Sequence, residues 1–194
     1  MGRLLEFITD FGDSAVTLPL AVAIFAYLIW GRWYRAALRW GLAVGGCGLA
    51  MALLKLGLLA CGAPPLLATL RSPSGHAAMA AVVYGGLAGL VASRCRREWL
   101  ALPYAAAQLL IMAIALSRIA LLAHSPLEVM VGLGVGTVFA TLFTLGLGEA
   151  PPTLPPFRWL LGVAAAVLLI SHGLRLQIEE PLRALAPGFW MACP

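Results

Sequence analysis

The stretch Ala15-Val16-Thr17-Leu18-Pro19-Leu20-Ala21-Val22-Ala23-Ile24-Phe25-Ala26-Tyr27-Leu28-Ile29-Trp30 carries no charged side chain. Its length approaches the roughly 20 apolar residues that cross the hydrocarbon core of a bilayer as a helix. Asp13 or Ser14 can cap its start by accepting bonds from the first free amides. The stretch runs into Trp30-Gly31-Arg32 rather than a small-residue cleavage site, so it reads as a retained membrane helix, not a removed signal segment. Five further apolar stretches follow, over about 41–60, 76–92, 99–116, 127–147 and 157–170. Hydrophobic residues make up 62% of the 194 and charged residues 11%, with mean hydropathy +0.95. Soluble domains carry roughly a quarter charged residues, so a soluble globule is excluded. The expected fold is all-α, an integral membrane bundle of six transmembrane helices forming a single membrane-embedded domain over residues 1–194.

The flanks fit that picture. Residues 1–13 mix Leu4, Leu5, Phe7, Ile8 and Phe11 with three acids and are expected to lie at the interface. Residues 174–194 form an amphipathic tail broken by Pro181 and Pro187, also expected on the membrane surface. The tryptophans read as interface anchors, among them Trp33 and Trp40 in an arginine-rich belt after the first span. Glycines 132, 134 and 136 read as positions of close helix packing. His172, with no motif around it, reads as a packed or headgroup-facing histidine.

The net charge of +5 does not make this a nucleic-acid binder. Arg32, Arg35 and Arg39 lie between the first two spans, and Arg94, Arg96 and Arg97 between the third and fourth. By the positive-inside bias both connections are cytoplasmic. Six spans then put both chain ends outside, together with the second-to-third and fourth-to-fifth connections. The four cysteines lack metal-ligand spacing. Cys61 and Cys193 both fall on the outer side, where an oxidising compartment permits a disulfide, although spacing does not decide it.

The two outer connections hold the polar residues that the rest of the chain avoids. One contains Arg71-Ser72-Pro73-Ser74-Gly75-His76; the other contains Ser117-Arg118, then His124, then Glu128. This set suits phosphoryl transfer, which needs charge neutralisation on phosphate oxygens, an in-line nucleophile and a proton for the leaving oxygen. Lys55, Arg71 and Arg118 can supply positive charge, arginine with a donor fork that matches phosphate. Ser74 and the free amides near Gly75 can add neutral donors at a helix start. Neutral His124 can attack. Glu128, four residues on along the same helical face, can accept the other ring N–H and fix the tautomer. His76 is then available to protonate the leaving group. Standing alone, Lys55 would read as a lysine snorkelling from a helix end and Arg71 as a headgroup contact; beside two histidine motifs both read as phosphate ligands.

Pro-Ser-Gly-His at 73–76 and Ser-Arg-x5-His-x3-acid at 117–128 are similar to the second and third motifs of the type 2 phosphatidic acid phosphatase family, whose site is shared by vanadium haloperoxidases. The resemblance covers about 55–128, and the six-span layout extends it along most of the chain. It implies a metal-independent phosphatase that works through a phosphohistidine and needs no cofactor. By motif position it implies His124 as nucleophile, Glu128 as its partner, His76 as acid, and Ser74, Gly75 and Arg118 as phosphate ligands. Two departures stand out. Glu128 occupies a position that is usually aspartate, and the first motif keeps Lys55 but has Gly62 and Ala63 where arginine and proline belong.

The expected activity is therefore hydrolysis of a lipid phosphomonoester or isoprenyl diphosphate (undecaprenyl diphosphate, phosphatidate or phosphatidylglycerophosphate in class). The expected partners are that lipid and the bilayer of the cell (inner) membrane, with the site facing the periplasm and no nucleic acid involved. The alternatives are a phosphotransferase to a lipid or sugar acceptor, and an inactive lipid-binding or transport protein of the same fold. A haloperoxidase is disfavoured, since those enzymes are typically soluble.

Overall fold

The computed structural model describes residues 2–62 and 70–176. Its helices are α1 (Gly2–Asp10), α2 (Ser14–Trp30), α3 (Tyr34–Cys61), α4 (Gly75–Ala92), α5 (Ala101–Ala120), α6 (Pro126–Leu145) and α7 (Phe157–Ser171), with a 3-10 turn at Arg97–Trp99 before α5. The described residues contain no strand. Five helical stretches are long and apolar enough to cross a membrane: Gly2–Trp30 taken across its turn, Tyr34–Cys61, Gly75–Ala92, Arg97–Ala120 and Pro126–Leu145. The sixth expected span, α7, is shorter at 15 residues. The protein is a multi-pass helical membrane bundle. Most of the interfacial tail expected over 174–194 lies outside the described residues, as does Cys193.

Helix α4 is the centre of the bundle and packs on α2, α3, α5 and α6. Its sequence explains the place: Gly, Ala and Val dominate all round, so no face is reserved for a polar surround. Small residues let neighbouring backbones close on it, and that packing, not water exclusion, holds helices together in lipid. Gly132 and Gly136 of α6 face α4, where an added Cβ would overlap the carbonyl oxygens of Ser74 and Ala78 respectively. Gly134, between them, faces open space, so two of the three expected packing glycines serve that role. Lipid would cover the outside, where Leu38, Leu42, Leu49 and Leu53 of α3 and Leu142 and Leu145 of α6 are exposed.

The belt expected at 32–40 is different. The helix begins at Tyr34, and Trp33 and Trp40 are buried rather than anchored at an interface. Trp40 donates its indole N–H to the Ala21 carbonyl at 2.8 Å and meets the Phe143 ring edge-on at 5.0 Å between centroids. It fits because the facing position on α4 is Gly86, where any side chain would collide with the indole.

Helix α7 runs antiparallel to α2 and is tied to it at both ends. At one end the Tyr27 hydroxyl donates to Pro155 O and the Thr153 hydroxyl to Gly31 O, each at 2.7 Å. At the other, Leu176 N–H donates to Asp13 Oδ1 at 3.1 Å and Arg175 pairs with Asp10 at 3.1 Å. This second end gathers the start of α4, the ends of α3 and α5 and the start of α6. The arginine clusters lie at the far end; Arg39, for example, packs beside Gly146, just past α6.

Candidate active site

The start of α6 shapes the site. Ser125-Pro126-Leu127-Glu128 forms a capping box: Glu128 N–H donates to Ser125 Oγ at 3.3 Å, and Ser125 N–H donates to Glu128 Oε2 at 3.0 Å. Such a box turns the third-position carboxylate back over the helix start. His124 sits there, and its Nδ1 lies 3.2 Å from Glu128 Oε2. An ionised carboxylate only accepts, so Nδ1 carries the hydrogen and Nε2 keeps its lone pair.

The preceding turn delivers His124 to that position. Ala123 and Leu122 donate to the carbonyls of Arg118 and Ile119 at 3.1 and 2.9 Å, closing α5 in a Schellman pattern with Leu122 at φ 54°. Reversal of the chain at Leu122 brings His124 back over Arg118, in the last turn of α5.

The second oxygen of Glu128 reaches across to the other motif. Oε1 accepts the backbone N–H groups of Arg71 at 2.9 Å and Ser72 at 2.8 Å, and Ser74 N–H donates to the Glu128 carbonyl at 3.0 Å. One residue thus joins the two histidine motifs. Ser74, fully buried, caps α4 by accepting from Ala77 N at 3.4 Å, which leaves the first amides of that helix at the site. Lys55, buried at the end of α3, holds its ammonium over the start of α4, 3.8 Å from where a Cβ on Gly75 would stand.

Burial holds the His124 imidazole below its ordinary value, and the nearby charges of Arg118 and Lys55 push the same way, against the bond to Glu128. The histidine is therefore held toward its neutral form.

All eight residues singled out in the sequence lie at this end of the bundle. Arg71 meets the site through its backbone amide, while the residue itself is exposed. His76 is the more open of the two histidines, with its side chain 25% exposed against 8% for His124. His76 Nε2 lies 3.3 Å from Asp13 Oδ2, and Arg118 Nη1 donates to Thr9 Oγ1 at 3.2 Å. Neither Asp13 nor Thr9 stood out in the sequence as a site residue. A cavity of about 340 Å³ opens here, with Thr9, Asp13, His76 and Arg118 in its lining. Cys61, at the same end, is disulfide-bonded, whereas Cys47 and Cys95 are free thiols.

Residues 61–150 match the PAP2 superfamily. The chain is 29% identical over 182 residues to an uncharacterized 22.5 kDa protein in the cps region of Klebsiella pneumoniae, covering 93% of this chain and 87% of that one. No solved structure matches. Members of the superfamily are phosphatases, which supports a phosphoric ester hydrolase in general. Residues 61–150 thus match the PAP2 superfamily, and the match supports the resemblance of the two histidine motifs to the type 2 phosphatidic acid phosphatase family.

Proposed function

We propose that this protein is a membrane lipid-phosphate phosphatase that works through a phosphohistidine on His124. The observation that carries the reading is the double grip of Glu128, which holds His124 by Nδ1 and the 71–72 turn by two amides. That grip leaves His124 Nε2 as the attacking atom and sets it beside Lys55, Arg118 and the amide-rich start of α4. The phosphate oxygens bind to those cations, to Arg71 and to the Ser74–Gly75 helix start, which also stabilise the charge of the transition state. His124 Nε2 forms a bond to phosphorus as the bond to the leaving oxygen breaks, and His76 gives that oxygen its proton. Water, deprotonated by the now neutral His76, then cleaves the N–P bond and phosphate departs. No step draws on a metal.

The substrate class is a lipid phosphomonoester or isoprenyl diphosphate. The cavity beside His76 and Arg118 lies in the bundle end where the outer headgroup layer would sit, so the phosphate can enter while the tails stay in lipid. Six spans are supported by α7, which pairs end to end with α2 although its 15 residues reach only about 22 Å at 1.5 Å per residue. The periplasmic orientation in the inner membrane is supported by the arginine clusters at the far end and by the disulfide at Cys61, a bond kept in oxidising compartments.

The test is phosphate release by the purified protein from a panel of isoprenyl diphosphate, phosphatidate and phosphatidylglycerophosphate, with and without EDTA. Release from at least one lipid, undiminished by EDTA, is expected. Release abolished by EDTA and restored by a divalent metal would overturn the metal-free mechanism.

A further inference from the structure

The residues around His76 assign a role to the N-terminal segment. Asp13 is 3% exposed and uses both of its oxygens. Oδ1 accepts from Ala15 N at 2.8 Å and from Leu176 N at 3.1 Å, which caps α2 and ties down the chain beyond α7. A helix cap requires no more than that. Oδ2 instead faces His76 Nε2 at 3.3 Å. Each of the two histidines therefore has its own carboxylate, His124 through Nδ1 and His76 through Nε2.

The placement of Asp13 is specific. At the neighbouring Gly12, a Cβ would stand 2.6 Å from Ile114 Cγ2 and 3.4 Å from His76 Cβ, so only glycine lets the segment lie this close to α4 and α5. Phe11 O accepts the Tyr84 hydroxyl at 2.7 Å, and Thr9 accepts from Arg118. From the other side His172 packs against both the Phe7 and Phe11 rings, 4.4 and 4.6 Å from their centroids. The segment is clamped on all these sides, and Asp13 is the residue it presents to His76.

We propose that Asp13 is the positioning residue of the general acid: it takes the Nε2 hydrogen of His76, fixes the ring, and leaves Nδ1 to carry the proton that passes to the leaving oxygen. This rests on the reading of His76 as the acid in a phosphatase. In the step, the P–O bond breaks, its electron pair stays on the leaving oxygen, and that oxygen takes the Nδ1 proton. The Nε2 hydrogen stays shared with Asp13. Glu6, Asp10, Arg118 and Arg175 line the same cavity, so the leaving group passes a mixed-charge wall.

An acid matters only when the leaving group needs a proton, and this separates positioning from folding. The experiment compares kcat/KM on dodecyl phosphate, whose alkoxide must be protonated, with kcat/KM on 4-nitrophenyl phosphate, whose phenolate need not be, in the same detergent. Asp13→Asn keeps an oxygen for the α2 cap. It is expected to lose roughly 100-fold on dodecyl phosphate, the scale of general acid catalysis, and less than about fivefold on the aryl ester. His76→Asn is expected to show the same contrast, and adding D13N to H76N to cause no further loss. Equal losses of D13N on both esters, or no loss on either, with H76N still discriminating, would overturn the role of Asp13 alone. Failure of H76N to discriminate would overturn the acid reading itself and this proposal with it.

Discussion

Glu128→Gln removes one charge and exchanges one acceptor oxygen for a donor amide while keeping the shape of the side chain. In the structure the carboxylate accepts from Arg71 N, Ser72 N, Ser125 N and His124 Nδ1 at 2.9, 2.8, 3.0 and 3.2 Å. With its NH2 in the place of Oε1 the glutamine faces two donor amides; with its NH2 in the place of Oε2 it faces the Ser125 amide and His124 Nδ1, which accepts only after a change of tautomer. Hydrogen bonds to a charged group are worth roughly 1.5–3 kcal/mol each, so losing one or two destabilises the fold by about 1.5 kcal/mol or more. The same change frees the His124 ring to take the other tautomer, with loss of kcat on the order of 10²–10⁴. Glu128→Asp, the residue usual at this motif position, shortens the reach by about 1.5 Å. It can keep His124 or the 71–72 amides, not both, and should fall between wild type and E128Q in stability and rate. Denaturant titration in detergent with phosphate release on the same samples would measure both. E128Q within about 0.5 kcal/mol of wild type and equally active would refute the double grip.

Two other outcomes follow from the geometry. The burial that lowers His124 keeps neutral imidazole the main form at its ordinary value of 6.5, so the acid limb of kcat/KM should have its midpoint below 6.5. Activity falls there as pH drops through the depressed value and the nucleophile takes a proton; a midpoint above 6.5 would contradict the reading. On α6, Gly136→Ala drives a Cβ into the Ala78 carbonyl and to 2.7 Å from Ala81 Cβ, whereas Gly134→Ala meets nothing. Thermal unfolding should show G136A destabilised by roughly 1–3 kcal/mol, and G134A neutral or stabilised by up to about 1 kcal/mol.

The motif residues were legible because charged and titratable groups are rare in this chain, and helical spans bring outer connections to one face. The reason for glutamate at 128 was also within reach: Ser125-x-x-Glu128 after a histidine is a capping-box pattern, and the box aims the carboxylate at His124. Asp13 was legible only as a cap, which it is. Its second oxygen answers to His76, 63 positions along the chain, and no local pattern connects the two. Thr9 and its contact with Arg118 were hidden for the same reason. Trp40 looked like a belt residue because arginines surround it in sequence, but Gly86 on α4 gives the indole a buried seat. Partners chosen by tertiary contact leave no local trace.

Transfer of the phosphoryl group to His124 would form an acid-labile phosphohistidine, so acid-stable isolation of the intermediate does not apply. Rapid quench into alkali of wild type and His124→Asn turning over a 32P-labelled lipid phosphate tests it most directly. Label is expected on wild-type protein, stable to base, lost in acid and located on His124, with none on H124N. Label on H124N, or phosphate release by H124N at the wild-type rate, would contradict it.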